Sequence, residues 1–228
     1  MLLKMKSPLK LTTSVHFVLY LYKMKYLLIF LLSITSVIAQ NKIELKDGDL
    51  IFQDMDCGPL CDAIEAVTDG HNGADYSHMG LVYHRNDTLY IIEAAGSAVR
   101  LSTLQNFSKN TSKPMLVGRL KKKYQKLIPN AVAFSLKQMG VPYDDEYVYD
   151  NGSYYCSELI YDAFKEANNG KPFFKLYPMT YKEPGTNNFF PAWVDYYETI
   201  NKLIPEGLPG CNPGGISTSD KIDILGTL

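Results

Sequence analysis

Residues 77–94 constrain the fold of this chain more than any other stretch. Ser77–Arg85 and Thr88–Ala94 each read as a strand, and they are separated only by Asn86-Asp87, residues that accept the left-handed backbone of a tight hairpin turn. A two-residue loop fixes the pairing: Arg85 faces Thr88, Gly80 faces Glu93, and His78 becomes a diagonal neighbour of Glu93 on one sheet face. Adding one residue to the loop on one side would separate the two side chains, because side-chain direction alternates with each residue. A carboxylate in that position orients an imidazole and fixes its tautomer. Gly80, between them in the ladder, is expected to leave open space on that face. His84 shares the face but sits at the turn and reads as solvated surface, and His71, among Gly70, Asn72 and Gly73, reads as loop.

Around this hairpin the sequence predicts an α+β domain. Asp49–Gln53 reads as a short strand after the Asp47-Gly48 turn, and Pro59–Thr68 as a helix with Leu60, Ala63, Ile64 and Val67 on one face. Val99–Leu101 and Met115–Leu120 add strands. Ile128–Met139 has Pro129 at its start and Gly140 just past its end, both where helix termini favour them. Cys156–Asn168 carries a buried stripe of Leu159, Ile160, Ala163, Phe164 and Ala167, with Asn169-Gly170 as its stop. After Pro172 the chain is rich in Pro, Gly, Asn and aromatics and reads mostly as loop. No repeat, low-complexity segment or linker divides residues 40–228, so one domain is expected there.

Cys156 is the leading candidate for chemistry. In Tyr154-Tyr155-Cys156-Ser157-Glu158-Leu159 it stands at the predicted N-terminus of a helix, where free backbone N–H groups and the helix dipole favour a thiolate. The same N–H groups can receive an oxyanion. A buried structural thiol, or half of a disulfide, is the plainer alternative. Cys57 and Cys61 are separated by three residues, which is not a Cys-x-x-Cys redox spacing, and adding His71 and His78 gives gaps outside the usual zinc-finger range. No metal or other cofactor is therefore expected. With Cys156 free, either Cys57 pairs with Cys61 or one of them pairs with Cys211. The tyrosines at 143, 147, 149, 154 and 155 could wall a groove beside Cys156 or simply cover the edge of the core, and Tyr155 is taken with Tyr143 as a substrate-binding candidate.

Residues 1–39 hold Lys4, Lys6, Lys10, Lys23 and Lys25 and no acid, and Tyr26–Ile38 is an apolar run ending in Val37-Ile38-Ala39-Gln40. These are the three regions of a secretory signal peptide cleaved after Ala39, with Met24 the more natural start. Retention as a signal anchor is the alternative, and membrane association is expected only in that case. Without that segment 18 Lys/Arg remain against 24 Asp/Glu, a net charge of −6. An acidic body whose longest basic cluster is Arg119–Lys123 excludes nucleic acid as the expected partner. Export places residues 40–228 in an oxidising compartment, the periplasm or cell envelope.

Five blocks in order, Asp47-Gly48-Asp49-Leu50-Ile51-Phe52, Ser77-His78-Met79-Gly80-Leu81-Val82, Ile92-Glu93-Ala94, Gly140-Val141-Pro142-Tyr143-Asp144 and Tyr155-Cys156-Ser157-Glu158-Leu159-Ile160-Tyr161, resemble the permuted branch of the NlpC/P60 papain-like cysteine hydrolases. The tail from Pro205-Glu206-Gly207 to Asn212-Pro213-Gly214 is similar to that family's C-terminal loop. The resemblance implies a circularly permuted papain-like fold with an antiparallel sheet, Cys156 as nucleophile, His78 as base and Glu93 as the orienting third residue. It also implies that Tyr143 shapes the substrate pocket or assists the oxyanion. The family does not require Cys57 and Cys61.

The expected activity is amide-bond cleavage through an acyl-thioester on Cys156, with a cell-wall peptide, small peptide or N-acyl amino acid as substrate. Two alternatives stand beside it. One is an acyl-lipid amidase or thioesterase, which a predominantly apolar groove beside Cys156 would favour. The other is a non-catalytic envelope binding module whose cysteine is disulfide-bonded.

Overall fold

The computed structural model of the protein describes residues 19–25 and 43–228. Most of the expected leader, with its cleavage point at Ala39, lies outside the described residues; residues 19–25 are helical, and no described helix is long and apolar enough to cross a membrane. Residues 43–228 form one compact unit.

That unit is built on a six-stranded sheet in the order β4-β3-β2-β1-β5-β8, with every pairing antiparallel. The strands are β1 (Leu50–Gln53), β2 (His78–Arg85), β3 (Thr88–Ala95), β4 (Ala98–Thr103), β5 (Leu116–Leu120) and β8 (Ile222–Thr227), while the two-residue β6 (Tyr177–Pro178) and β7 (Pro209–Gly210) pair separately. The hairpin has the expected register: Asn86 and Asp87 take φ of 49° and 59°, and Arg85 pairs with Thr88. The alternation of side chains sends Leu50, Phe52, Met79, Leu81 and Ile92 to one face and Ile51, Val82 and Ile91 to the other.

The first face is covered by α3 (Ile128–Lys137) and α4 (Cys156–Ala167), whose Leu159, Ile160, Ala163 and Phe164 complete the main core. The second is covered by Phe107 of the short α2 (Leu104–Ser108), together with Met115. Gly80 does not leave space on this face. A Cβ there would lie 2.3 Å from Ile91 Cγ2 and 3.2 Å from Phe107 Cε2, so glycine is needed to let these side chains close over the strand.

Two expectations are corrected in extent. The helix at Pro59 stops at Glu65 rather than Thr68 and forms α1. The region after Pro172 is not mostly loop: it contains α5 (Pro191–Thr199), α6 (Pro213–Ser217) and the edge strand β8. Pro191 occupies the first turn of α5, where the missing N–H has no partner to lose, so the proline that reads as loop punctuation starts a helix. Trp193 and Tyr197 of α5 pack with Tyr181 and with Ala63 of α1 in a separate aromatic cluster.

One buried ion pair ties the residue before β1 to the neighbouring strand β5. Arg119 donates from Nε and Nη2 to the two carboxylate oxygens of Asp49, both at 2.7 Å, and Asp49 is 1% exposed.

Candidate active site

Cys156 is the first residue of α4, and it is buried with a free thiol. Tyr155 precedes it in extended conformation and makes no side-chain cap, so N–H groups of the first turn stay available to a developing negative charge. Glu158 lies three residues after Tyr155; its Oε1 accepts from the Asp150 N–H at 2.8 Å, which ties the preceding loop to the helix, while its buried Oε2 has no hydrogen-bond partner among the described residues. Burial pushes the Glu158 carboxyl up to about 8.

His78 opens β2, and α4 packs against β2 and β3. Its Nε2 is 2.6 Å from Glu93 Oε2, and Cys156 is close enough to raise its proton affinity, while the thiol itself lies 3.9 Å from the Ser77 carbonyl oxygen. The diagonal placement read from the hairpin is therefore the observed one. Burial lowers the imidazole's proton affinity, but the hydrogen bonds and charges of Cys156 and Glu93 outweigh it and raise its pKa to about 9. Phe107 packs 5.4 Å from the imidazole, centroid to centroid, and screens it from solvent.

Glu93 is fully buried and has three partners. Its Oε1 accepts from Ser102 Oγ at 2.5 Å and from Arg100 Nε at 3.0 Å, while Oε2 meets His78. Burial would raise the carboxyl; His78 first, then Ser102 and Arg100, reverse that and hold it at about 2. Arg100 and Ser102 were not singled out in the sequence. The available signal was the next hairpin, since β3 and β4 pair Glu93 directly with Arg100.

A cavity of about 390 Å³ opens beside Cys156. Tyr143 and Tyr155 both line it. The Tyr143 hydroxyl meets Tyr147 Oη at 3.4 Å, and burial, followed by the neighbouring Tyr147 and Cys156, keeps it protonated far above the ordinary tyrosine range. The Tyr155 hydroxyl is engaged elsewhere: it accepts from the Cys211 N–H at 3.2 Å and lies 3.9 Å from Cys211 Sγ. Tyr155 thus offers the cavity its ring, packed 5.7 Å from that of Tyr147. Tyr149 and Tyr154 instead meet Asp162. The opposite wall comes from Leu60, Cys61 and Ile64 of α1 and from Met179, Tyr181 and Trp193, the last three in the segment expected to be loop. Glu206 holds Tyr181 there by accepting from its N–H at 2.8 Å.

The cysteine pairing is resolved. Cys57 and Cys61 form a disulfide, and Cys211 is a buried free thiol whose pKa is driven up by burial. The bridge removes both sulfurs from any Cys/His ligand set. His84 bonds Asp47 Oδ1 through Nδ1 at 2.7 Å on the surface, and His71 sits in a single 3-10 turn held by Ser217. Neither contacts the site through any interaction among the described residues.

Comparison with known proteins bears on the fold and the family. A solved structure described as that of metalloprotein yiiX from Escherichia coli O157:H7 superposes with a TM-score of 0.65 at 22% identity, covering 82% of this chain and 99% of that one. The uncharacterized protein YiiX of Escherichia coli K12 is 29% identical over 128 residues, 54% of this chain and 58% of that relative, so the match spans less than two thirds of its length. The family model for "Permuted papain-like amidase enzyme, YaeF/YiiX, C92 family" matches residues 44–225. On that match, which runs through β1, the His78–Glu93 hairpin and the Cys156 helix, the chain belongs to the YaeF/YiiX permuted papain-like amidase family.

Proposed function

We propose that the protein is an exported amidase that hydrolyses an N-acyl bond by nucleophilic catalysis at Cys156. The observation that carries this reading is the polar chain Cys156–His78–Glu93, with the thiol at a helix N-terminus and the carboxylate 2.6 Å from the imidazole. His78 takes the thiol proton and Cys156 Sγ attacks the amide carbonyl. The Cys156 N–H and the protonated Tyr143 hydroxyl receive the oxyanion. Collapse breaks the C–N bond, His78 delivers the proton to the leaving nitrogen, and water then hydrolyses the thioester with His78 as base.

Cell-wall peptides, small peptides and N-acyl amino acids are the proposed substrates. The Cys57–Cys61 bridge supports residence in an oxidising periplasm or envelope. An acyl-lipid amidase or thioesterase is the second reading, favoured by the apolar walls contributed by Leu60, Ile64, Met179 and Trp193. The non-catalytic module requires a disulfide-bonded Cys156, whereas its thiol is free.

The solved neighbour is described as a metalloprotein. In this chain Asp54, Glu65 and Asp75 bring carboxylate oxygens within 4.8 Å of one another, an oxygen-only set. They do not fit a metal as they stand, because the Lys113 ammonium already lies 2.5 Å from Asp54 Oδ2. No step is routed through that cluster.

The test is a substrate screen of dipeptides, N-acyl amino acids and acyl thioesters with wild type and Cys156→Ala. Cys156-dependent release of free amine supports the amidase, and turnover of thioesters alone supports the second reading. Equal rates for the two proteins on every substrate would overturn both.

A further inference from the structure

The cavity carries a charge of which the Cys156–His78–Glu93 chain uses only one donor. No carboxylate lines it, and Arg100 is the sole Lys or Arg among its described lining residues. Arg100 spends one donor, Nε, on Glu93; its Nη groups have no hydrogen-bond partner among the described residues, and its side chain is 47% exposed. Gly96, at the turn between β3 and β4, leaves room for the guanidinium: a Cβ there would lie 3.0 Å from Arg100 Nη1. The guanidinium is thus held in place by one nitrogen while its outer edge stays open. That edge presents parallel N–H donors in the geometry that pairs with a carboxylate or a phosphate.

The same cavity is walled elsewhere by Leu60, Ile64, Met179 and Trp193, so one site offers an apolar surface and one open guanidinium edge.

We propose that Arg100 is an anion-recognition residue that selects substrates carrying an apolar group and a carboxylate or phosphate. That such a molecule is an amide substrate rests on the amidase reading; anion binding in the cavity that holds Cys156 does not, and the experiment separates the two.

Alkylation of Cys156 is measured with iodoacetate and with iodoacetamide, following the Cys156 peptide by mass, for wild type, Arg100→Gln and Arg100→Lys. Because Arg100 also braces Glu93, both absolute rates are expected to fall in Arg100→Gln, so the ratio of the two rates is the readout. The iodoacetate/iodoacetamide ratio is expected to drop about tenfold in Arg100→Gln, the loss of one charge-assisted hydrogen bond, and less in Arg100→Lys. Parallel falls that leave the ratio unchanged would make Arg100 a positioning residue for Glu93 alone and overturn the proposal.

A second arm uses only wild type, so it survives a variant that fails to fold. Protection of Cys156 is compared among N-octanoylglycine, octyl phosphate and the neutral N-octanoylglycinamide. Stronger protection by the first supports a carboxylate and by the second a phosphate; equal protection by the neutral amide overturns the proposal. Neither arm requires turnover, so failure to find an amide substrate would count against the amidase reading and leave anion recognition to be judged on its own result.

Discussion

Replacing Glu93 with glutamine changes one atom and should cost most of the activity, for a reason visible in the partners of each oxygen. Oε1 sits between two donors, Arg100 Nε at 3.0 Å and Ser102 Oγ at 2.5 Å, while Oε2 faces His78 Nε2 alone. A glutamine keeps its carbonyl oxygen toward the two donors and turns its NH2 toward the imidazole. His78 Nε2 must then accept, which moves the ring proton to Nδ1 and leaves no lone pair to take the Cys156 proton. The charge is lost as well. His78 stands at about 9 against an ordinary 6.5, a net of about 3 kcal/mol left after burial has opposed the contributions of Cys156 and Glu93. Tautomer and charge together are expected to lower kcat/KM by about 10³ to 10⁴, or about 4 to 5.5 kcal/mol.

The assay is the pH profile of Cys156 alkylation by iodoacetamide alongside kcat/KM for the substrate found in the screen. In wild type the imidazolium that protonates the leaving nitrogen is lost as pH rises through about 9, so kcat/KM carries a basic limb there, and in Glu93→Gln that limb should move down by at least about one unit. A loss under tenfold, with the basic limb unmoved, would refute the account of Glu93 as orienting partner.

Four further outcomes follow from features of the fold. Asp49→Ala strands the Arg119 guanidinium and should cost about 3 to 5 kcal/mol in urea denaturation. Gly80→Ala places a methyl against Ile91 and Phe107 and should cost about 1 to 3 kcal/mol, read from the same denaturation curves. Glu158 holds its proton more tightly when folded, with a pKa of about 8 against 4.5, so folding stability should decline as pH rises from 4.5 through 8, and Glu158→Gln should flatten that decline in a pH series of thermal melts. Replacing Cys57 and Cys61 by serine opens only a five-residue loop, so the loss should stay near 2 kcal/mol, measured by chemical denaturation.

The candidate trio Cys156, His78 and Glu93 was legible because local rules fix most of its placement. The Asn86-Asp87 turn sets register, register sets the His78–Glu93 diagonal, and Asn169-Gly170 with the Leu159 stripe marks the helix that Cys156 begins. The partners of Glu93 were less visible, because they required a second register, that of β4. The far wall of the cavity was not legible at all. Met179, Tyr181 and Trp193 reach it through Glu206 and through packing on α1, contacts between distant segments that leave no periodic trace in a proline-rich tail. Gly80 was misjudged for a related reason, since the atoms filling its space belong partly to Phe107, on a helix that periodicity did not announce.

The chain order of the candidate catalytic groups has a consequence for folding. His78, Glu93, Arg100 and Ser102 all lie within the β2–β3–β4 meander, whose contacts are short-range in sequence, whereas Cys156 must be brought to them from a later helix. Local hairpins close fast and distant pairings close late. The imidazole and its carboxylate are therefore expected to come into register before the thiol docks against them, so the molecule acquires its base before it acquires anything for that base to activate.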